Sequence, residues 1–445
     1  MSRLLWTLAL GVFAGALDLS VLAPALPALG REFGVQAGDL AWVFTLYLLV
    51  TVVSIALAGT FADRYGRRPV YLACIALFAL GSMVAITAQA YWMFLLARAI
   101  QALGAGGIFP VATATIGDVV PAGRRGAALG IVAATWGLAA VIGPSFGGLV
   151  THFIDWRWIF IANLPLAGVV IVLALGTVPA YAPRRREPFD AVGLLLLCIG
   201  LLALMDGLIS TRFLIGALGL AMLALFAFWE RTVSAPILPF ELVRTRQLTV
   251  TYALEILIGA LEGSLFFVPM VLIGALGLSY AAAGFIAALG ALTFVLVIPV
   301  SGRALDRIGS RDVLLVGTAL AELGLAIFAL GFGWLWLVVI AMIVAGAGFG
   351  ALLGAPTRYI VTREAPESAR ATAVGLLSQA LIVGQIVGSS LAGALFASAH
   401  SEIAGYRHAY LAFAAVAFVA LLLAAALKPS GLERHSAKEG AAPAL

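Results

Sequence analysis

The sequence predicts an all-α membrane protein in which two six-helix bundles flank an inserted two-helix hairpin, fourteen transmembrane helices in all. Three observations carry that expectation. Of the 445 residues, 63% are hydrophobic and 11% are charged, and the mean hydropathy is +1.12, which leaves too little polar surface for a soluble chain of this length. The apolar residues gather into fourteen runs long enough to cross a bilayer as helices, and the 49 glycines favour packed helices over alternating barrel strands. A charged segment is written twice, as GTFADRYGRR at 59–68 and GRALDRIGSR at 302–311, 243 residues apart.

The first run, 4–29, starts like a signal peptide but stays apolar past Asp18, so it reads as an uncleaved span. Runs 41–62 and 69–88 enclose the first charged segment, and 91–118, 124–150 and 157–178 complete six. The basic stretch PRRREPFD leads into a hairpin of runs 190–209 and 212–230, and WERTVSAPILPFELVRTRQ leads out of it. The last six runs are 248–273, 279–301, 313–331, 334–357, 371–397 and 408–427. The repeat pairs the loop after the second run with the loop after the tenth, whereas six helices per half would place it after the eighth. The two extra helices are therefore assigned to the hairpin. The expected organisation is a first bundle at 1–180, a linker at 181–247 holding the hairpin at about 190–230, a second bundle at 248–427, and a disordered cytoplasmic tail at 428–445.

With the N-terminus inside, basic residues crowd the cytoplasmic loops, and only Arg31, Arg157, Arg212 and Arg407 fall on the other side. That asymmetry obeys the positive-inside rule, puts both termini in the cytoplasm and explains the net charge of +5 without nucleic acid. Cys74 and Cys198 lie inside expected spans and offer no disulfide framework. His152, His400, His408 and His435 fall in expected loops or the tail, which argues against a metal cluster. No catalytic triad or nucleotide loop is present, so an enzyme is not expected.

In the first charged segment Asp63 is the one acid among Arg64, Arg67 and Arg68, while Gly66 permits a tight helix-to-helix turn. Such a cluster can form ion pairs in one conformation and lose them in another, and Asp118 is the candidate partner. The second copy supplies Gly302, Asp306, Arg307, Gly309 and Arg311. In the fifth run Gly130, Gly143, Gly147 and Gly148 allow close helix approach, and Pro144 removes a backbone hydrogen bond.

Charges inside a membrane cost several kcal/mol and are retained for function or pairing. Asp18, Arg98, Asp206, Glu255, Glu262 and Glu322 are such residues. The 243-residue offset carries position 18 to 261, next to Glu262, so the halves offer quasi-equivalent central carboxylates. Glu255 and Glu262 are two turns apart on one helix face, with Gly259 between them. Asp206 and Glu322 are expected to make local pairs only. Tyr47, Trp136 and Tyr252 are aromatics able to stack on a cation or to serve packing.

GTFADRYGRR resembles motif A of the major facilitator superfamily, and LLARAIQALGAGG resembles motif B, with Arg98 and Gln101 in its polar positions. The glycines and Pro144 of the fifth run resemble motif C of antiporters, with Ala139 in place of the usual Gly. LDLSVLAPALP is similar to the drug/proton antiporter pattern, with Ala23 departing from its usual Asn, and DWRWIFIANLP is similar to a segment of fourteen-helix multidrug exporters. The resemblance runs from about 4 to 427.

It implies the major facilitator fold and a central cavity lined by the first and fourth helices of each half, which Gln101 and the three aromatics would share. It further implies proton-coupled export of small lipophilic, cationic or zwitterionic drugs by alternating access. Protons entering from outside would neutralise Asp18, Glu262 or both as the substrate leaves, with Glu255 and Arg98 as further proton-coupling residues and Arg98, where close, opposing protonation, and proton release to the cytoplasm would reset the site. Expected partners are lipophilic substrates, protons and membrane lipids, around a monomer in a plasma or bacterial inner membrane. No cofactor or metal is called for beyond the proton gradient. The alternatives are export or flipping of a dedicated metabolite or lipid, Na+ in place of H+, and a non-transporting membrane sensor.

Overall fold

A computed structural model describes residues 2–180, 190–233, 236–238, 240–398 and 401–429. The linker at 181–189, His400, His435 and the tail beyond 429 lie outside the described residues. Thirteen helices among those described are long and apolar enough to cross a membrane, and a shorter apolar helix, Phe213–Trp229, takes the place of the remaining expected span. Its 17 residues are at the lower limit of what a bilayer core accepts.

The first run forms α1 (Ser2–Val21) and α2 (Leu26–Phe33), broken at Ala23–Ala25, where Pro24 and Pro27 interrupt the hydrogen-bond ladder. Then come α3 (Trp42–Tyr65), α4 (Arg67–Ile86), α5 (Tyr91–Val119), α6 (Ala122–Phe153) and α7 (Arg157–Thr177). The hairpin is α8 (Ala191–Ile209) and α9 (Phe213–Trp229), and the Asp190 side chain caps α8 by accepting from Gly193 N at 2.8 Å. The second half begins with α10 (Arg246–Leu265) and α11 (Val268–Leu276), again one run broken ahead of a proline, Pro269. It continues with α12 (Tyr280–Ile308), α13 (Ser310–Leu330), α14 (Leu335–Leu352), α15 (Pro356–Glu364), α16 (Arg370–Ala397) and α17 (Glu402–Ala425). His408, expected in a loop, is exposed on α17, because that helix starts six residues before the expected 408.

The repeat is visible in backbone geometry. Gly34 and Gly277, 243 residues apart, end α2 and α11 in the left-handed conformation at φ 65° and 64°. Gly66 and Gly309, also 243 apart, join α3 to α4 and α12 to α13 at φ 100° and 90°, where a side chain would be strained.

The described residues form two compact units, Met1–Ile237 with Phe266–Ala288, and Leu238–Leu265 with the residues from Leu289 on. In the first, a core of Leu8, Val12, Tyr71, Phe78, Ile108 and Val170 joins α1, α4, α5 and α7, and α8 packs on α3. Phe266 stacks on Phe44 with ring centroids 4.7 Å apart. In the second, Leu254, Ile258, Leu314, Ala321, Leu352 and Ala420 join α10, α13, α14 and α17. Outer faces carry exposed Trp6, Val172, Leu220, Leu296 and Leu422, which a soluble protein would bury and a lipid-facing surface keeps.

Candidate functional site

The charged residues singled out in the sequence gather at three places among the described residues. The first is in the first unit. Asp18, on α1 and 1% exposed, accepts from Arg98 Nη1 at 2.6 Å through Oδ2. Its Oδ1 accepts from Gln101 Nε2 at 3.1 Å and from Asn163 Nδ2 at 3.0 Å. Ser82, on α4, accepts from the same Gln101 nitrogen at 2.8 Å and from Asn163 at 3.4 Å, so α4 joins through the donors that α5 and α7 bring to the carboxylate. Gln101 Oε1 takes a further bond from Arg98 Nη1 at 2.8 Å. The Arg98 guanidinium lies over the Tyr47 ring, 4.1 Å from its centroid. Gly81 makes this assembly possible, because a Cβ there would meet Gln101 at 2.5 Å. Asp18 and Arg98 thus form a fully buried, mutually neutralising pair, and neither is a free charge.

The second place is the α3–α4 turn. Arg67, not Arg64 or Arg68, is its centre: Nη2 pairs with Asp63 at 2.8 Å and Nε with Asp118 at the end of α5 at 3.0 Å. Asp118 is thus joined to the cluster through an arginine that is 8% exposed. Arg64 lies over the Tyr65 ring, Arg68 is half-buried, and Gly59 has open space around it. The second copy keeps the turn, but among the described residues it makes no such ion-pair relay. Ser310 stands where the first copy has Arg67, Asp306 and Arg307 are exposed, and Arg311 Nη2 donates to the Ala425 carbonyl at 2.9 Å. Gly302, like Gly59, faces open space.

The third place is in the second unit. Glu262, on α10, accepts from Gln385 Nε2 of α16 at 2.9 Å. Glu255, two turns earlier and 6% exposed, takes a hydrogen bond from Thr357 at the start of α15 and lies near Arg358, while its Oε2 has no partner among the described residues. Glycines seat α10 against α16. A Cβ at Gly259 would meet the Leu381 carbonyl, one at Gly263 the Gln385 carbonyl, and ones at Gly384 and Gly388 the carbonyls of Ile256 and Ala260. Tyr252 donates from its hydroxyl to the Ala373 carbonyl at 3.2 Å.

The glycines of α6 divide. Gly143 and Gly147 press on Ser20 and Val21 of α1, where the Ser20 hydroxyl donates to Ala139 O at 2.9 Å. Gly148 presses on Tyr280 and Gly284 of α12, and Gly284 in turn meets the Pro144 carbonyl. Gly130 departs from the expectation of close approach: its side of α6 is exposed and nothing lies within 4 Å of a Cβ there. Of the residues expected around one cavity, Tyr47 and Gln101 belong to the Asp18 assembly. Trp136 is 45% exposed against Phe109, and Tyr252 is buried on α10 in the other unit. Asp206 makes the local contacts expected, with Ser210 at 3.1 Å and Arg212 at 3.7 Å. Glu322 does not: half-buried on α13, it makes no ion pair or hydrogen bond among the described residues.

The sequence reading missed Asn163, Ser82, Thr357 and Gln385, neutral polar residues within apolar runs. It also missed what DWRWIF does. Trp156 Nε1 donates to Glu32 Oε2 at 2.6 Å, and Arg157 Nη2 donates to Glu32 Oε1 at 2.5 Å. Arg157 also donates to the carbonyls of Ile86 and Ala88, both at 3.2 Å, tying α7 to α2 and to the α4–α5 loop. No group of three or more metal-ligating side chains occurs among the described residues.

Helices that expose apolar faces outward and hold charged residues inward, built twice on one plan, define a multi-pass membrane transporter rather than an enzyme. The Major Facilitator Superfamily profile matches residues 8–229 and 248–444, and the chain belongs to that family. Over 88% of its length it is 33% identical to the uncharacterized MFS-type transporter YfiU of Bacillus subtilis, 79% of which is covered. Over 87% it is 30% identical to the multidrug resistance protein B homolog of Mycobacterium tuberculosis, 75% of which is covered. A crystal structure of a D-xylose–proton symporter superposes with a TM-score of 0.73 at 15% identity, covering 96% of this chain and 98% of that one, a likeness of fold alone.

Proposed function

We propose that this transporter exports small lipophilic drugs, cationic or zwitterionic, in exchange for protons by alternating access. The observation that carries the reading is the contrast between the carboxylates on α1 and α10. Asp18 is balanced by Arg98, whereas among the described residues the half-buried Glu262 meets only the neutral Gln385, and Glu255 keeps one oxygen unpartnered. A buried carboxylate without a cation is expensive while charged, and either a proton or a cationic substrate relieves that cost. Competition between the two for the same negative charge is what antiport requires. The multidrug resistance name of a relative supports the choice of substrate class.

In this cycle a proton arriving from outside neutralises Glu262 and displaces the substrate outward. It then passes toward Glu255, two turns along α10 and beside Thr357, and leaves to the cytoplasm. The Arg67 bridge between Asp63 and Asp118 holds one state and opens in the other. A membrane potential of 100 mV adds about 2.3 kcal/mol per charge moved. The proton gradient is the sole energy source, and the monomer resides in a plasma or bacterial inner membrane with both termini cytoplasmic.

The test is transport of ethidium in proteoliposomes under an imposed pH gradient. The wild type is expected to move the dye only with the gradient, and Glu262→Gln and Glu255→Gln to lose that coupled movement. Dye movement indifferent to the gradient would remove the antiport reading.

A further inference from the structure

The Arg98 side chain, with no exposure, spends only one of its three nitrogens. Nη1 serves both Asp18 and Gln101, while Nε and Nη2 have no hydrogen-bond partner among the described residues. These two are not an arbitrary pair. Nε–H and the adjacent Nη2–H form the side edge of the guanidinium, two parallel donors at the spacing of the two oxygens of a carboxylate. Buried donors left empty cost stability, and a fork of this shape is the arrangement arginine uses for planar two-oxygen anions. Tyr47 covers the guanidinium face, and Asp18 and Gln101 hold its other end, so the edge is fixed in direction.

We propose that the free edge of Arg98 is a carboxylate-reading subsite for substrate. Asp18 already balances the charge of Arg98, so a simple anion would bring an uncompensated negative charge into the site. The molecule that fits is amphoteric: a lipophilic cation carrying its own carboxylate. This rests on the export reading above and narrows it, selecting amphoteric compounds over plain cations. Because the edge is sealed in this conformation, it meets its ligand as the transport cycle opens the site.

The experiment uses two dyes that differ at the carboxyl group alone, rhodamine 110, which bears a free carboxylate, and rhodamine 123, its methyl ester. Binding to the purified full-length protein is read by fluorescence anisotropy at pH 7.5. The wild type is expected to bind rhodamine 110 about tenfold more tightly than rhodamine 123, the scale of a charge-assisted pair of hydrogen bonds. Arg98→Lys keeps a cation for Asp18 and removes the fork, so the affinity ratio falls to near one. The double variant Asp18→Asn with Arg98→Gln, which leaves no buried charge unpaired, is expected to lose the preference as well.

A ratio near one in the wild type, or a ratio unchanged in both variants, overturns the subsite. Proton-driven movement of rhodamine 123 in proteoliposomes reports separately on the export reading, which survives if only the ratio fails. No binding of either dye overturns both.

Discussion

Asp18 shows what a single residue costs and what it depends on. Its carboxylate is held by Arg98, Gln101 and Asn163, none of them adjacent in sequence. Removing a partner from a buried ion pair strands the other charge, so Arg98→Ala is expected to destabilise the protein by about 3–5 kcal/mol. Asn163→Leu removes one neutral donor and should cost about 1–3 kcal/mol. Thermal unfolding in detergent would rank the two, and an Asn163→Leu midpoint equal to wild type would mean that its bond to Asp18 carries nothing. Asp18 and Arg98 were legible in the sequence because a charge in an apolar run stands out. Their pairing across 80 residues was not, and neither was Asn163, whose amide barely disturbs a hydropathy profile. In the α3–α4 turn the cluster was legible, but not which arginine bridges. Burial selects Arg67, and burial depends on where α5 ends. Asp118→Asn is expected to leave drug binding intact and slow turnover, as is Asp63→Asn, and unaltered transport by both would dismiss the bridge as a gate.

At the level of helices, close contact is set by glycines that only three-dimensional neighbours distinguish. Gly384 faces the Ile256 carbonyl on α10, whereas Gly130 faces open space on α6. Gly384→Val should push α10 and α16 apart and cost upwards of about 1–3 kcal/mol, disturbing the Gln385–Glu262 bond with it. Gly130→Ala should be neutral or stabilising by about 0.5–1 kcal/mol, because it only removes unfolded-state freedom. Equal losses in both variants would contradict this assignment of packing faces. The spans themselves were legible from apolar length. The breaks at Ala23–Ala25, before Pro269 and between α14 and α15 were not, since the runs stay apolar through them and proline alone does not say whether a helix bends or stops.

Across the whole molecule the two halves share a plan but divide the labour. Both turns that carry the charged segment use a glycine in a region that other residues avoid, so Gly66→Ala and Gly309→Ala should each cost about 1–3 kcal/mol. Among the described residues only the first turn carries an ion-pair relay, so the two variants are expected to differ in transport while matching in stability. Transport assays beside melting curves would decide it, and equal loss of transport would deny the asymmetry. The matched spacing has a further meaning. Gly34 and Gly277, then Gly66 and Gly309, keep one interval of 243 residues across one long helix and the loop before it. Though the side chains differ, the stretch between these pivots has the same length in both copies. That length is kept where the chemistry is not, and a single-residue insertion there should be harder to tolerate than most changes of side chain.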